Sequence, residues 1–125
     1  VCHLEANMVE KALAGWSLPD LDFLFIENVG NLVCPATFDL GERLRLVLFS
    51  VTEGEDKPLK YPTIFHTADI AMITKIDLAE AVEFDRSAAH QSIQQVRPGM
   101  PILEVSSKRG DGMENWLALL RVLRS

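Results

Sequence analysis

Residues 70–77 read Ile-Ala-Met-Ile-Thr-Lys-Ile-Asp, a short apolar run that ends in a polar tetrapeptide. A continuous apolar run of this length is typical of a strand that is buried on both faces, as the strands of parallel sheets are. Three other segments have the same character, although a single charged residue interrupts the first two of them. We therefore expect four strands in all, at residues 21–26, 44–51, 70–73 and 102–105.

Helical patterns separate these apolar runs. Near the start of the chain, apolar residues recur at every fourth position, which places them on one face of a helix that Pro19 closes. The recurring residues are Leu4, Met8, Ala12 and Trp16. Further helices are expected at 63–68 and 85–96, and a last helix begins after Asp111, a residue type that suits the N-cap. Alternating strands and helices predict a parallel or mostly parallel α/β sheet.

Composition and charge restrict the class of protein. The 125 residues include 48% hydrophobic residues and carry a formal net charge of -6. Binding to nucleic acid or to an anionic membrane needs clustered Lys and Arg, which this acidic chain does not offer. No stretch approaches the roughly 18 consecutive apolar residues of a membrane span, and no signal-peptide pattern is present. We expect a single domain, residues 1–125, of a cytoplasmic protein that binds neither nucleic acid nor membrane.

Two polar segments directly follow strands of the predicted sheet. They are Thr74-Lys75-Ile76-Asp77 and Ser106-Ser107-Lys108. Ligands of open parallel sheets bind outside the carboxyl ends of the strands. There, the Asp77 carboxylate can accept hydrogen bonds from guanine N1–H and the exocyclic amine, whereas adenine lacks this pair of donors. Lys75 can lie over the nucleotide, and a backbone N–H near Ser107 can donate to guanine O6. The pair predicts a guanine site, although a polar segment also ends many strands that bind nothing.

The segment Glu27-Asn28-Val29-Gly30 follows the first predicted strand. An acidic residue at a strand end can orient water or magnesium beside a γ-phosphate, which makes Glu27 a candidate catalytic residue. Gly30 has no Cβ, so its backbone N–H can approach a phosphate oxygen closely. The alternative is that Glu27 is a solvated strand end and that Gly30 only permits a turn.

The two cysteines of the chain, Cys2 and Cys34, are accompanied by one adjacent histidine, His3. Thiolates and imidazole form the ligand set that zinc favours and that nickel accepts. Three ligands leave one position open, which suits a metal that is passed on or a site completed across a dimer. One alternative is that the two cysteines form a single disulfide bridge. Another is that both are small buried hydrophobic residues and that His3 is a helix-start residue.

Four segments must be considered together. They are Cys-His-Leu-Glu-Ala at 2–6, Phe-Ile-Glu-Asn-Val-Gly-Asn-Leu-Val-Cys-Pro at 25–35, Ser-Val-Thr-Glu-Gly-Glu-Asp-Lys-Pro-Leu-Lys-Tyr-Pro at 50–62, and Thr-Lys-Ile-Asp at 74–77. In combination they resemble the C-terminal portion of the G domain in the hydrogenase nickel-incorporation GTPase family. The related urease accessory GTPases share the acidic strand end followed by Gly and Asn-Leu. They lack this Val-Cys-Pro and this Lys-Pro-Leu-Lys-Tyr-Pro, so the hydrogenase branch fits better.

The resemblance implies a three-layer fold like that of P-loop NTPases and a GTP-hydrolysing homodimer. Such a dimer hands nickel to the large subunit of [NiFe]-hydrogenase and works with a small zinc- and nickel-binding accessory protein. It implies the following roles: Cys2, His3 and Cys34 as ligands of nickel or zinc; Thr74, Lys75 and Asp77 on guanine; Ser106, Ser107 and Lys108 closing over the base; and Gly30 on the γ-phosphate side.

The chain departs from the family pattern in two places. Thr74 stands where the family usually has Asn, which removes an amide from the guanine contacts. No Gly-Lys pair occurs in the 125 residues, so the strand and Gly-rich loop that hold phosphate and magnesium are not among them. We expect a partial GTPase domain that is not hydrolytic alone and holds magnesium only with that loop. The alternatives are a non-catalytic metal-binding or dimerisation module and a urease-type nickel GTPase.

Overall fold

A computed structural model describes residues 2–124 and contains a parallel sheet of three strands in the order β1-β2-β3. The strands are β1 (Leu46–Ser50), β2 (Ile70–Thr74) and β3 (Ile102–Glu104). Val47 lies opposite Ala71 in β2, and Ala71 lies opposite Ile102 in β3. The predicted α/β class and parallel sheet are confirmed. Three of the four apolar runs form strands within one or two residues of the expected bounds.

Residues 2–124 also form five α-helices. They are α1 (Ala6–Ala12), α2 (Lys57–Lys60), α3 (Pro62–Thr67), α4 (Arg86–Val96) and α5 (Met113–Arg124). Helix α4 begins where the sequence predicts, because the Asp85 carboxylate accepts the backbone N–H of Ala88 at 3.0 Å and caps the helix. Helix α5 begins two residues after Asp111. No helix within residues 2–124 is both long and apolar enough to cross a membrane.

The core lies between one face of the sheet and the helices that pack on it. Phe49 of β1 is 1% exposed and contacts Phe65 of α3 edge to face, with the ring centroids 5.5 Å apart. Ala71 and Ile73 of β2 and Ile93 of α4 are fully buried in the same cluster. Both faces of β2 are buried, which is why residues 70–73 form an uninterrupted apolar run.

The predicted strand at 21–26 is wrong. This segment has no strand partner among residues 2–124, and it is extended without a hydrogen-bond ladder. Three of its five large apolar side chains are exposed, among them Phe25 by 66% and Leu24 by 41%. An apolar sequence favours a strand only where a neighbouring strand accepts its backbone hydrogen bonds and another layer covers its side chains.

The first helix is shorter than the apolar pattern predicts. Helix α1 ends at Ala12, and the chain then turns through Gly15, whose φ of 84° is a conformation that favours glycine. Trp16 therefore lies outside the helix. It still lines the same apolar groove as Leu4, Met8 and Ala12, so the four-residue pattern identifies a shared face although not a continuous helix.

Candidate functional site

The two segments predicted to read guanine meet at the carboxyl ends of β2 and β3. The backbone N–H of Ile76 donates to the carbonyl of Val105 at 3.2 Å, and the Ser106 hydroxyl donates to Asp77 Oδ1 at 2.8 Å. The neighbouring parallel strands place both segments at the same sheet edge, as expected. The arrangement leaves one Asp77 carboxylate oxygen, Oδ2, without a protein hydrogen bond among residues 2–124.

Hydrogen bonds within the loop after β3 stabilise its conformation. Ser106 is completely buried, and its hydroxyl oxygen also accepts the backbone N–H of Arg109 at 3.1 Å. Two backbone bonds close the loop, from Gly110 N–H to the Ser106 carbonyl and from Ser106 N–H to the Asp111 carbonyl. Ser107 and Lys108 are exposed on this frame. The sequence prediction treated Ser106, Ser107 and Lys108 alike. In the structure only Ser106 bonds Asp77 and orients its carboxylate, whereas the side chains of the other two are exposed.

Lys75 is exposed and has an unusual backbone. Its φ of 58° and ψ of 38° lie in the left-handed region, which bends the chain between β2 and the helical turn Ile76–Leu78. Residues other than glycine rarely adopt this backbone conformation. The turn makes room for the hydrogen bond between Asp77 and Ser106. Thr74, at the end of β2, is partly buried beside it.

A charged group at the end of β1 was not singled out from the sequence. The Glu53 carboxylate accepts the Ser50 backbone N–H at 2.7 Å and lies 3.0 Å from the Lys57 ammonium. Burial alone raises the pKa of Glu53, but the Ser50 bond, Lys57 and the nearby charge of Lys75 outweigh it and hold the pKa below its usual value. The capping pattern Ser50-x-x-Glu53 was the available sequence signal.

The three predicted metal ligands converge although they are far apart in sequence. One ligand atom from each of Cys2, His3 and Cys34 lies within 4.8 Å of the others. The Sγ atoms of Cys2 and Cys34 are close enough to be bonded as a disulfide, and their Cα atoms are 5.9 Å apart. His3 Nδ1 is 3.6 Å from the Cys2 sulfur. The geometry therefore allows either a disulfide between the two cysteines or, when both are reduced, a shared metal ion.

The surroundings of His3 fit a metal ligand. Its ring stacks on Phe38 with the centroids 3.7 Å apart and the planes 9° from parallel. Nε2 is buried and has no hydrogen-bond partner, and the Glu5 carboxylate is 3.7 Å away, beyond hydrogen-bonding distance. An unpaired buried nitrogen is costly unless it gains a partner. Two thiolates and an imidazole are a donor set suited to nickel or zinc.

Two asparagines frame the cysteines and were not singled out from the sequence. The Asn28 side-chain oxygen accepts the N–H groups of Leu4 and Val29 at 3.0 and 2.8 Å. Asn31 donates to the Cys2 carbonyl and accepts from the backbone of Cys34. Asparagine bonds to nearby backbone in turns, so its position within an irregular segment was the only signal that sequence could offer.

Glu27 and Gly30 are exposed in the irregular segment 21–31. Open space surrounds Gly30 where a Cβ would stand, which leaves its backbone approachable. Glu27 lines an apolar groove of about 240 Å³ beside α1. Within residues 2–124, no hydrogen bond or ion pair joins either residue to the guanine segments or to the metal ligands. Their roles beside a phosphate stay predictions.

Comparison with known proteins supplies the context for this geometry. The family model of the CobW/HypB/UreG nucleotide-binding domain matches residues 1–104. Hydrogenase maturation factor HypB from Azotobacter vinelandii is 53% identical over 119 residues, which cover 94% of this chain and 39% of that protein.

Two crystal structures are similar over the whole chain. Hydrogenase maturation factor HypB from Archaeoglobus fulgidus superposes with a TM-score of 0.92 at 44% identity, covering 100% of this chain and 61% of that one. HypB from Helicobacter pylori in complex with nickel gives a TM-score of 0.92 at 43% identity, covering 99% and 60%. The chain thus spans about two-fifths of the Azotobacter protein and about three-fifths of each crystallised chain. Because the family match extends over most of its length, the protein belongs to the CobW/HypB/UreG family of nucleotide-binding domains.

Proposed function

We propose that this chain is the guanine-reading and metal-binding part of a GTP-dependent protein that inserts nickel into [NiFe]-hydrogenase during its maturation. The observation that supports it best is the convergence of Cys2, His3 and Cys34, which come from two segments about thirty residues apart in the sequence. Soft ligands rarely converge in this way without a shared role. The identity to HypB proteins adds support, because a HypB chain has been crystallised with nickel.

Nickel is the cargo of this site rather than a resident cofactor. Two thiolates and one imidazole bind a divalent ion firmly, while a fourth coordination position remains available for an incoming ligand from another protein. Cys2 and His3 lie near the surface of the described structure, which leaves the ion reachable. Zinc suits the same donors, so Zn(II) competes with Ni(II) for this site.

The guanine site supplies the dependence on GTP. The Ser106 hydroxyl orients Asp77, whose carboxylate would accept guanine N1–H and the exocyclic amine. The exposed residues Ser107 and Lys108 would close over the base. Adenine in the same position would leave the carboxylate without its donors, which lowers its affinity. GTP hydrolysis additionally needs a phosphate-binding loop and magnesium, and the 125 residues contain no Gly-Lys pair that could form such a loop.

The proposed partners follow from the cargo. A homodimer, a small nickel- or zinc-binding accessory protein and the hydrogenase large subunit are the proteins that a nickel-delivering GTPase of this kind requires. We place this work in the cytoplasm. The open coordination position at Cys2, His3 and Cys34 is where an accepting protein would contribute its ligand.

Metal analysis tests the proposal directly. The reduced 125-residue chain, dialysed against Ni(II) and then against buffer, is expected to retain about one nickel ion per chain or per dimer. Cys34→Ala and His3→Ala are each expected to lose most of it, because each substitution removes one of three ligands. His66→Ala is the matched control, since His66 is an exposed histidine of α3 away from the cluster. Unchanged nickel content in Cys34→Ala would refute the proposal.

A further inference from the structure

Asn31 connects the two cysteine segments through one side chain. Its amide nitrogen donates to the Cys2 carbonyl oxygen at 2.5 Å. Its amide oxygen accepts the backbone N–H of Cys34 at 2.8 Å and that of Val33 at 3.0 Å. Cys2 and Cys34 are 32 residues apart in sequence, so nothing in the local chain would hold their backbones at this spacing.

The chemistry of this contact requires asparagine. A side-chain amide carries a donor and an acceptor on the same carbon, so it can meet a carbonyl on one side and two N–H groups on the other. Turning the amide over would oppose nitrogen to two N–H donors and oxygen to a carbonyl. The hydrogen-bond network therefore defines the orientation of the Asn31 amide.

Apart from the contact between the two sulfur atoms, the other contacts between the segments within residues 2–124 do not reach both cysteines. The Leu4 N–H bonds to Asn28, and the His3 ring stacks on Phe38. Among residues 2–124, Asn31 alone forms hydrogen bonds to the backbones of both Cys2 and Cys34. It touches no metal position itself, and it acts on the two thiols by setting the distance between the backbones that carry them.

We propose that Asn31 is a positioning residue of the metal site, which holds Cys2 and Cys34 close enough for both sulfurs to bind one metal ion. The inference rests on the proposed function, and it adds a residue outside the three predicted ligands. Partners that orient metal ligands commonly change metal affinity by about 10–100-fold when they are removed.

The substitution Asn31→Asp removes the hydrogen bond that Asn31 donates to Cys2 and keeps the hydrogen bonds that it accepts from Val33 and Cys34. Aspartate keeps an oxygen that accepts from Cys34 and Val33, but it places a carboxylate oxygen against the Cys2 carbonyl, where a donor is needed. Asn28→Asp adds the same charge three residues away and retains the acceptor that Asn28 uses. The difference between these variants therefore measures the Cys2 bond rather than the added charge. Asn115→Asp, on the exposed side of α5, controls for remote charge.

The first measurement is Ni(II) affinity together with the near-ultraviolet absorption of nickel–thiolate bonds. Asn31→Asp is expected to bind Ni(II) about 10–100-fold more weakly than Asn28→Asp and to lose thiolate absorption, while Asn115→Asp matches the parent chain. A role limited to general stability would lower the thermal midpoint without removing the thiolate signal selectively.

The second measurement needs no metal. One cysteine thiolate attacks oxidised glutathione, breaks its S–S bond and forms a mixed disulfide, and the second thiolate then displaces the bound glutathione. The Cys2–Cys34 disulfide forms, and the two electrons and two protons from the cysteine thiols end on two molecules of reduced glutathione. This reaction should be several-fold slower in Asn31→Asp than in Asn28→Asp, because the thiols meet less often. It distinguishes the two proposals, since failure of nickel binding in the parent chain would leave this comparison intact.

Equal Ni(II) affinity and equal disulfide rates in Asn31→Asp and Asn28→Asp would overturn the inference. If Asn31→Asp fails to fold by circular dichroism, Asn31→Ala serves instead, since it removes both halves of the contact without adding charge. Parent-like affinity and parent-like disulfide formation in Asn31→Ala would equally contradict a positioning role.

Discussion

At the scale of single residues, Ser106 shows how a buried hydroxyl orients a neighbouring carboxylate, that of Asp77. It is 0% exposed, donates to Asp77 and accepts from the backbone of Arg109. Ser107, the next residue, is exposed. Two serines that are equivalent in a sequence pattern therefore differ completely in what their loss would cost.

Ser106→Ala should lower the free energy of unfolding by about 1–3 kcal/mol, because it removes a fully buried hydroxyl that bonds both the Arg109 backbone N–H and the Asp77 carboxylate. Urea denaturation measures the change. Ser107→Ala is the matched control and should stay within about 0.5 kcal/mol of the parent chain. Equal effects of the two substitutions would show that the Ser106 hydroxyl does not hold this loop.

At the scale of elements, the connection from β3 to α5 depends on Gly112. Its φ is 73°, and a Cβ built there would lie 1.9 Å from the carbonyl oxygen of Glu104, a backbone atom that cannot move aside alone. Gly110, two residues earlier, also has a positive φ, of 88°, but a Cβ there would meet nothing within 4 Å. Substitutions at the two glycines therefore distinguish the energetic cost of a left-handed backbone, which both positions share, from the cost of a steric clash, which only Gly112 would have.

Gly112→Ala should destabilise the chain by more than about 4 kcal/mol or prevent folding, because α5 would have to move away from β3. Gly110→Ala, the matched control, should cost only about 1–2 kcal/mol, which is the penalty of a left-handed conformation. Chemical denaturation of both variants provides the comparison. A Gly112→Ala chain as stable as Gly110→Ala would mean that the two elements shift apart at little cost.

The contact between α4 and β3 carries a pH dependence. Arg86 Nε donates to Glu104 Oε1 at 2.9 Å, a second bond joins the same two groups, and His90 lies 3.3 Å from the carboxylate. Arg86 holds the pKa of Glu104 below its usual value, although partial burial opposes this. A lowered pKa contributes stability above the unfolded-state value, about 4.5, and that stability disappears as pH falls through the folded-state value.

Arg86→Met should therefore lower the free energy of unfolding by about 0.5–1 kcal/mol near pH 7, a small amount because the Arg86 side chain is more than half exposed. The difference from the parent chain should shrink as pH falls below the usual glutamate pKa. Denaturation across the acid range tests this, with Arg121→Met on exposed α5 as the control. A difference that does not change with pH would exclude the ion pair as its cause.

At the scale of the whole molecule, base selection and phosphate chemistry depend on different loops. In the proposed function Asp77 and Ser107 select guanine, but selecting a base stabilises no charge at the γ-phosphate. That stabilisation comes from a lysine, backbone N–H groups and magnesium at a phosphate-binding loop. Even in their predicted roles, Glu27 and Gly30 would position only water or one phosphate oxygen.

The 125-residue chain alone should therefore not hydrolyse GTP appreciably. Removing electrostatic contacts of this kind costs several kcal/mol of transition-state stabilisation, which corresponds to a rate lower by roughly a thousandfold or more. Phosphate release by the purified chain is the measurement, and a longer family protein that includes a Gly-Lys-Ser/Thr loop is the positive control. Comparable turnover by both would show that another segment of this chain binds the phosphates.

Local patterns were sufficient for most of the fold. The apolar runs at 70–73 and 102–105 became strands because buried parallel strands need apolar side chains on both faces, and Asp85 capped α4 because its carboxylate bonds the first turn. The placement of Asp77 beside the loop after β3 followed from parallel topology alone. The contact of Asp77 and of the loop after β3 with guanine stays a prediction. The binding of a metal ion by Cys2, His3 and Cys34 also stays a prediction.

Other features depend on residues that are distant in sequence, and no local pattern could reveal them. Segment 21–26 has the apolar character of a strand, yet within residues 2–124 it pairs with no other strand. The difference between Ser106 and Ser107 is a difference in burial. Asn31 has its role only because Cys2 and Cys34, 32 residues apart, lie on either side of its amide. Periodicity and capping act over a few residues, whereas pairing, burial and side-chain bridges exist only once the folded chain brings distant segments together.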